Sequence, residues 1–312
     1  MNQLEQRLRE VLTGEGACLK TMEPMARHTT FRIGGPALWY AAPADEEELR
    51  KLLAICRTEK LEPRILGNGS DLLVSDQGCD GLVISMTENF SFGGVEGTRL
   101  RAGAGLLLPK AASMALREGL SGLEFASGIP GTVGGAAVMN AGAYGSEMKD
   151  VMVSMRVMDR DGRVFVLSGG EMGFGYRRSC VAQMGYIVLE AEFELKNDEP
   201  AEIKKRMEEL SLRRREKQPL EYPSAGSTFK RPQGHFAGKL IQDAGFRGYR
   251  VGDAQVSEKH CGFVINRGGA TAAQVMELCR QIQEKILEKD GVRLELEVKL
   301  WGRFPEDNEG ET

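Results

Sequence analysis

Residues 120–145 read LSGLEFASGIPGTVGGAAVMNAGAYG, and no period survives in them. Apolar residues recur neither at every second position, as in a half-buried strand, nor at the three-and-four spacing of an amphipathic helix. Small, turn-forming residues dominate instead. A segment that does not organise itself by burying one face must be held by something else, and a ligand along its backbone is the obvious candidate. The chain has 39 glycines in 312 residues, one in eight, against a usual one in about fourteen. They gather between residues 67 and 145.

A second glycine cluster lies upstream, in ILGNGSDLLVSDQG at residues 65–78. Gly67, Asn68, Gly69 and Ser70 follow a short apolar strand, where such a turn can point successive N–H groups at a phosphate. LLVS then continues as strand rather than opening a helix, which argues against a nicotinamide-binding G-x-G-x-x-G unit. A tight hairpin with a glycine-rich tip accounts for this motif alone equally well.

Around these clusters the pattern mixes helices and strands. Leu4, Leu8 and Leu12 share one face of a short N-terminal helix. Residues 37–42 form an apolar stretch, and 44–59 read as a helix with acids in its first turn. Residues 63–66, LLVS and LVIS read as strands, the last two around a Gly78–Gly81 turn. A hairpin edge is expected at 97–105 and a helix at 109–118. Strands follow at 151–159, 164–167 and 186–195. After a composition shift at 197–200 come a charged helix over 202–217, a strand at 263–266, and a helix capped by Thr271 with Val275, Leu278, Ile282 and Ile286 inward. VRLELEVKLWG closes as a strand with alternating faces. Without regular βαβ alternation, the fold class is α+β.

Bulk properties exclude several functions. A net charge of −4 leaves no electrostatic footprint for nucleic acid or an anionic membrane. No run has the apolar length of a membrane span, and the N-terminus has no signal-like apolar region. Cys18, Cys56, Cys79, Cys180, Cys261 and Cys279 lie far apart with no C-x-x-C pair, and only His28, His235 and His260 could assist them. No metal site is expected, the thiols should be reduced, and the compartment should be the cytoplasm.

The 120–145 segment resembles the flavin-binding segment of the UDP-N-acetylenolpyruvoylglucosamine reductase family. Gly67–Asp71 is similar to that family's pyrophosphate loop, and HTTFRIGG at 28–35 to its N-terminal signature. The resemblance runs from about residue 24 to residue 302. It implies a two-subdomain FAD-binding module of the vanillyl-alcohol-oxidase/PCMH type at residues 1–92 and 93–197. Strand 292–302 would return to the first of these, and residues 198–312 would form a C-terminal α+β substrate-binding domain. It implies FAD contacts from Gly67, Asn68, Gly69, Ser70 and Asp71, and from Ala126, Ser127, Gly128, Ile129, Pro130, Gly131, Val133, Gly134, Gly135, Asn140, Gly142 and Ala143. No histidine falls between residues 29 and 234, so the flavin should be held non-covalently.

The reaction so implied is NADPH-dependent reduction of UDP-N-acetylglucosamine enolpyruvate to UDP-N-acetylmuramate. Hydride passes through flavin N5 to the vinyl carbon, and an enolate beside the substrate carboxylate is then protonated. That chemistry needs fixed positive charge and a proton donor. Arg177 in FGYRRS matches the family arginine that stabilises the enolate, Ser227 in YPSAGSTFKRP the proton donor, and Glu297 the essential glutamate, which orients Arg177 or takes part in the proton relay.

By residues alone, Arg177 reads first as an exposed arginine beside Arg178, while Ser224 and Thr228 compete with Ser227 as turn or cap residues. Glu295 shares a strand face with Glu297. The cations Arg213, Arg214, Lys217, Lys230 and Arg231 flank Ser227 and suit a diphosphate, or simply a solvated helix end. Tyr176, Lys239, Tyr249 and Asn266 are further substrate contacts by resemblance.

Asn68 and Asp71 stand where many members have Gly and Asn, so Asp71 should turn its carboxylate onto local N–H groups. Leu296 replaces a common proline, which should alter strand-edge pairing. The chain also resembles the shorter class lacking a tyrosine-bearing loop. Small molecules are the expected partners, and the protein should be a monomer or weak oligomer. An unrelated flavin oxidase, or a non-catalytic nucleotide-sugar binder, would leave the joint presence of Arg177, Ser227 and Glu297 unexplained.

Overall fold

A computed structural model describes residues 3–304. The chain forms two units. Of the described residues, one unit comprises 3–21, 39–68 and 81–214, and the other 22–38, 69–80 and 215–304.

The first unit is built on a five-stranded antiparallel sheet. Its strands lie in the order Val164–Ser168, Met152–Met158, Ile187–Glu194, Arg99–Gly103, Gly93–Glu96. The central strand Ile187–Glu194 pairs Ala191 with Met155 on one side and with Ala102 on the other. Helix α1 (Gln3–Val11) buries Leu8, and α2 (Glu46–Thr58) buries Leu49, Leu52 and Leu53. The Asp45 side chain caps α2 by accepting from the Glu47 and Glu48 N–H groups, two donors that the helix cannot satisfy itself. Helix α3 (Leu108–Arg117) begins one residue ahead of the expected Pro109, which lies in its first turn. The strand at Arg64–Leu66 runs parallel to Val83–Ser85.

The aperiodic segment differs from the sequence expectation. It holds a short helix, α4 (Val133–Met139), with Thr132 as N-cap and Asn140 as a left-handed C-cap. An Ala/Gly-rich helix has no apolar stripe to recognise. It is held instead by close backbone approach, the Gly134 N–H donating to the Ala104 carbonyl at 2.8 Å. A methyl on Gly134 would stand 2.9 Å from the Ala104 side chain. Helices α5 (Cys180–Met184) and α6 (Pro200–Lys217) follow.

In the second unit, α7 (Ala237–Asp243) and α8 (Ala272–Asp290) accompany an antiparallel sheet of Arg250–Val251, Ala254–Val256 and Val264–Asn266. Helix α8 buries Val275, Leu278, Ile282 and Ile286 as expected, and starts with a Thr271–Gln274 capping box. The Asp76 carboxylate also accepts from the Ala272 and Ala273 N–H groups, at 2.7 and 2.9 Å. This places a negative charge at the positive end of the helix dipole.

LLVS and LVIS are strands, but not partners. Leu72–Val74 pairs in parallel with Lys299–Trp301, at the far end of the chain. VRLELEVKLWG is regular strand only at Lys299–Trp301, with an isolated bridge at Phe229–Leu296 before it. None of the six cysteines is in a disulfide. Among the described residues no helix is long and apolar enough to cross a membrane, and no cluster of His, Cys, Asp or Glu could hold a metal ion.

Candidate active site

Within the first unit the two glycine motifs meet. Asn68 donates through its side-chain amide to the Pro130 carbonyl at 2.6 Å. A Cβ added to Gly67 would stand 2.5 Å from the Thr132 hydroxyl, so only glycine lets these backbones approach. Ser127, Gly128, Ile129, Pro130, Gly131, Gly135, Gly142 and Ala143 keep some exposure, whereas Ala126, Val133 and Gly134 are sealed in the core. The cradle thus presents backbone and small side chains, which suits a flat, extended cofactor held without a covalent link.

In the second unit Gly69 has φ +57 and its backbone lies against the His28 carbonyl. Its own carbonyl accepts from the Thr30 N–H, so the HTTFRIGG motif braces this part of the loop. Ser70 is partly exposed, and the Asp71 carbonyl accepts from the Lys299 N–H.

Arg177 sits in a four-residue turn closed at both ends. Gly175 N–H donates to the Arg178 carbonyl at 2.9 Å, and Arg178 N–H to the Gly175 carbonyl at 3.2 Å. Arg177 takes φ +51, a conformation that costs a non-glycine residue about 1–2 kcal/mol. Strain of this kind concentrates at functional positions. Its guanidinium lies 5.4 Å from the ring of Tyr176, which is 59% exposed.

The Asn140 side chain is turned onto neighbouring protein groups. Only 1% exposed, it donates through its amide nitrogen to Glu147 (2.8 Å) and to the Gly175 carbonyl (3.1 Å), and its oxygen accepts from Lys149 N–H (3.0 Å). These bonds hold protein, so its side chain offers a flavin no free donor.

Arg214 differs from its neighbours Arg213, Arg215 and Lys217, which are exposed. It lies over Gly128, where an added Cβ would stand 3.0 Å from the arginine Cδ. Burial pulls its guanidinium below the usual arginine range, while the nearby Tyr144 opposes that shift. No carboxylate among the described residues forms an ion pair with it.

Ser227 and Glu297 belong to the second unit and are joined through Thr228. Thr228 N–H donates to the Gly262 carbonyl, the Thr228 carbonyl accepts from Glu297 N–H, and its hydroxyl accepts from Val264 N–H at 3.0 Å. At 4% exposure the Thr228 hydroxyl is structural. Ser227 is partly exposed, and no side-chain hydrogen bond claims its hydroxyl among the described residues. Ser224 contributes its carbonyl to the Thr30 hydroxyl.

Glu297 is 7% exposed, whereas the Glu295 side chain is 67% exposed and paired with Lys230 at 2.9 Å. Period-two alternation could not supply that difference in depth. Nor does Leu296 change the pairing, because the bridge uses Glu295 O and Glu297 N and leaves the amide of Leu296 out.

Arg231 lies 4.1 Å from the Phe236 ring, Lys239 pairs with Asp243, and the Tyr249 hydroxyl donates to Gln281. The Asn266 side chain is likewise turned onto the protein. It is 3% exposed, its amide nitrogen donates to the Phe31 carbonyl, and its oxygen accepts from Gly268 and Ala270 N–H. It folds the domain. Thr132, the N-cap of α4, was not singled out from the sequence, although a threonine just ahead of a helix is a cap signal, whereas Thr228 matches its reading as a turn or cap residue.

Comparison with known proteins bears on both units. Residues 218–301 match the C-terminal domain of UDP-N-acetylenolpyruvoylglucosamine reductase, and residues 37–168 match an FAD binding domain. A UDP-N-acetylenolpyruvoylglucosamine reductase of Agathobacter rectalis is 53% identical over 296 residues, covering 90% of this chain and 93% of the relative. The crystal structure of the Thermus caldophilus reductase of that name superposes with a TM-score of 0.78 at 40% identity, over 91% of this chain and 98% of the other. A Phl p 4 variant described as a glucose oxidase shares only the fold, with a TM-score of 0.51 at 14% identity over 64% of this chain and 45% of its own. The architecture is thus an FAD-binding module of the vanillyl-alcohol-oxidase/PCMH type with a C-terminal α+β domain.

Proposed function

The chain belongs to the UDP-N-acetylenolpyruvoylglucosamine reductase family, and from that premise we propose that it reduces UDP-N-acetylglucosamine enolpyruvate to UDP-N-acetylmuramate in peptidoglycan precursor synthesis. The observation that carries the reading is the joining of two glycine motifs by Asn68 and Pro130 in a chain whose relatives carry this name along nearly their whole length. When bound, FAD supplies hydride transfer, from NADPH to the vinyl carbon of the substrate. Residues 1–92 and 93–197 hold it, without a covalent bond, and residues 198–312 receive the substrate.

Arg177 grips the substrate carboxylate with parallel N–H groups and stabilises the enolate that forms beside it. Ser227 gives its hydroxyl proton to the carbon next to the carboxylate, so that one hydride and one proton convert the enolpyruvyl ether to a lactyl ether. Glu297 acts with Arg177 on the enolate. Arg214, a largely desolvated cation with no carboxylate partner among the described residues, is the best placed of the basic residues to take an anionic group of the ligands. Tyr176, Arg213, Lys217, Lys230, Arg231, Lys239 and Tyr249 contribute less buried contacts.

An anaerobic titration tests the proposal. Purified protein should be yellow, NADPH should bleach it, and the enolpyruvyl nucleotide should restore the colour with one equivalent of product. Bleached protein that the nucleotide fails to reoxidise would sink the reading.

A further inference from the structure

Resting on the role just given to Arg177, we propose that Asn140 is a positioning residue, whose carboxamide fixes the Gly175–Arg178 turn and so sets the direction of the Arg177 guanidinium. The Gly175 carbonyl accepts two N–H groups, one from Arg178 across the turn and one from Asn140. Loss of the second removes the bond that ties this turn, with a residue of φ +51 at its tip, to the C-cap of α4.

The orientation of the carboxamide is forced. Its nitrogen faces the Glu147 carboxylate and the Gly175 carbonyl, two acceptors, and its oxygen faces the Lys149 N–H, a donor. Rotating the group by half a turn would set oxygen against two oxygens. Glu147 is itself fixed, its N–H donating to Asp150 and its side chain accepting from the Asp150 N–H in a capping box. The anchor therefore rests on a rigid base. A second tie runs alongside, the Ser179 hydroxyl donating to the Val138 carbonyl at 2.8 Å. It holds the segment to the end of α4.

The backbone of Asn140 makes a clean test available. At φ +43 it is left-handed, a conformation that glycine adopts without strain. Asn140→Gly thus removes the carboxamide and keeps the C-cap. Asn140→Asp keeps the shape and the acceptor for Lys149 but replaces both donors with oxygen.

Both variants should retain FAD and be reduced by NADPH within about threefold of the wild-type rate. Reoxidation by the enolpyruvyl nucleotide should slow by about 10- to 100-fold, as expected when a charged group is misplaced by roughly 1 Å. In an Arg177→Ala background, Asn140→Gly should add less than about threefold, because the two residues act as one. Additive losses would overturn the proposal. So would loss of flavin, or equal slowing of both half-reactions, which would instead make Asn140 a cofactor contact.

Hydrogen exchange supplies a readout independent of turnover. The amides of Gly175 and Arg178 should exchange about tenfold or more faster in Asn140→Gly, and unchanged exchange would overturn the anchoring role. If wild-type protein is not reoxidised by the nucleotide, the functional reading falls while the exchange result still decides the anchor.

Discussion

Replacing Thr228 by valine removes a single oxygen and keeps the shape of the side chain. Thr228 is 4% exposed and Val264 2%, and the Thr228 hydroxyl accepts from the Val264 N–H at 3.0 Å. Valine leaves that amide buried without a partner, which costs about 1–3 kcal/mol. The backbone bonds from Thr228 to Gly262 and from Glu297 to Thr228 survive. With a urea slope of about 2 kcal/mol/M, the unfolding midpoint should fall by about 0.5–1.5 M. Thr228→Ser keeps the oxygen and loses one buried methyl, worth about 0.8 kcal/mol, so its midpoint should fall by no more than about 0.5 M.

The pair separates a structural hydroxyl from a catalytic one. Reoxidation of the reduced flavin by substrate should slow less than about tenfold in Thr228→Val. It should slow by about 10²–10⁴ in Ser227→Ala, the range for a general acid. A Thr228→Val protein as stable as wild type, or a serine variant as damaged as the valine one, would refute the hydrogen-bond argument. A rate loss in Thr228→Val larger than that in Ser227→Ala would refute the assignment of the proton donor.

Gly67→Ala places a methyl 2.5 Å from the Thr132 hydroxyl that caps α4. It should cost about 1–3 kcal/mol in thermal or urea unfolding and lower the flavin content of the purified protein; unchanged stability and colour would show that the two motifs do not meet. Burial raises the Glu124 pKa, but Arg206, the Glu124 and Gly122 N–H groups and the Ser121 hydroxyl more than reverse this, leaving it below the ordinary value. A carboxyl depressed on folding stabilises above its unfolded pKa of about 4.3 and loses that contribution as pH falls through the folded value. The stability gap between wild type and Glu124→Gln should therefore close between about pH 6 and pH 3, and a gap independent of pH would contradict the assigned cause. Glu295→Gln breaks a largely exposed ion pair with Lys230 and should leave the unfolding midpoint essentially unchanged with turnover intact. Glu297→Gln should cut turnover by at least about tenfold, and equal effects would mean that depth does not separate the two acids.

How far the sequence reached depended on whether a residue's partner was local. Helix α8 was legible because its signals are contiguous: a threonine cap, a glutamine three residues on, and apolar side chains that recur with the helical period. LLVS was legible as a buried strand because its run is continuously apolar. Its partner was not, since Lys299–Trp301 lies more than two hundred residues away and nothing local encodes that pairing. Helix α4 was missed because its burial works through glycine and alanine, where close backbone approach replaces side-chain area and leaves no period to find.

The same distinction explains the site. Arg177, Ser227 and Glu297 were named through a resemblance, and their local physics gave each a bland alternative. Asn140 and Asn266 were read as ligand contacts through the same resemblance, yet a polar residue in or beside glycine-rich backbone has two possible uses, to bind a ligand or to satisfy that backbone. Backbone in such a stretch lacks the repeating partners of a helix or sheet, and buried N–H and C=O groups must find some other partner. Each asparagine supplies both donors and acceptors at once. Asn140 spends them on Glu147, Gly175 and Lys149, and Asn266 on Phe31, Gly268 and Ala270. The glycine-rich loops that can lie close to a cofactor therefore need such residues behind them, and a buried asparagine there is first a support for the loop. That order of use is the physical basis of the positioning role proposed for Asn140.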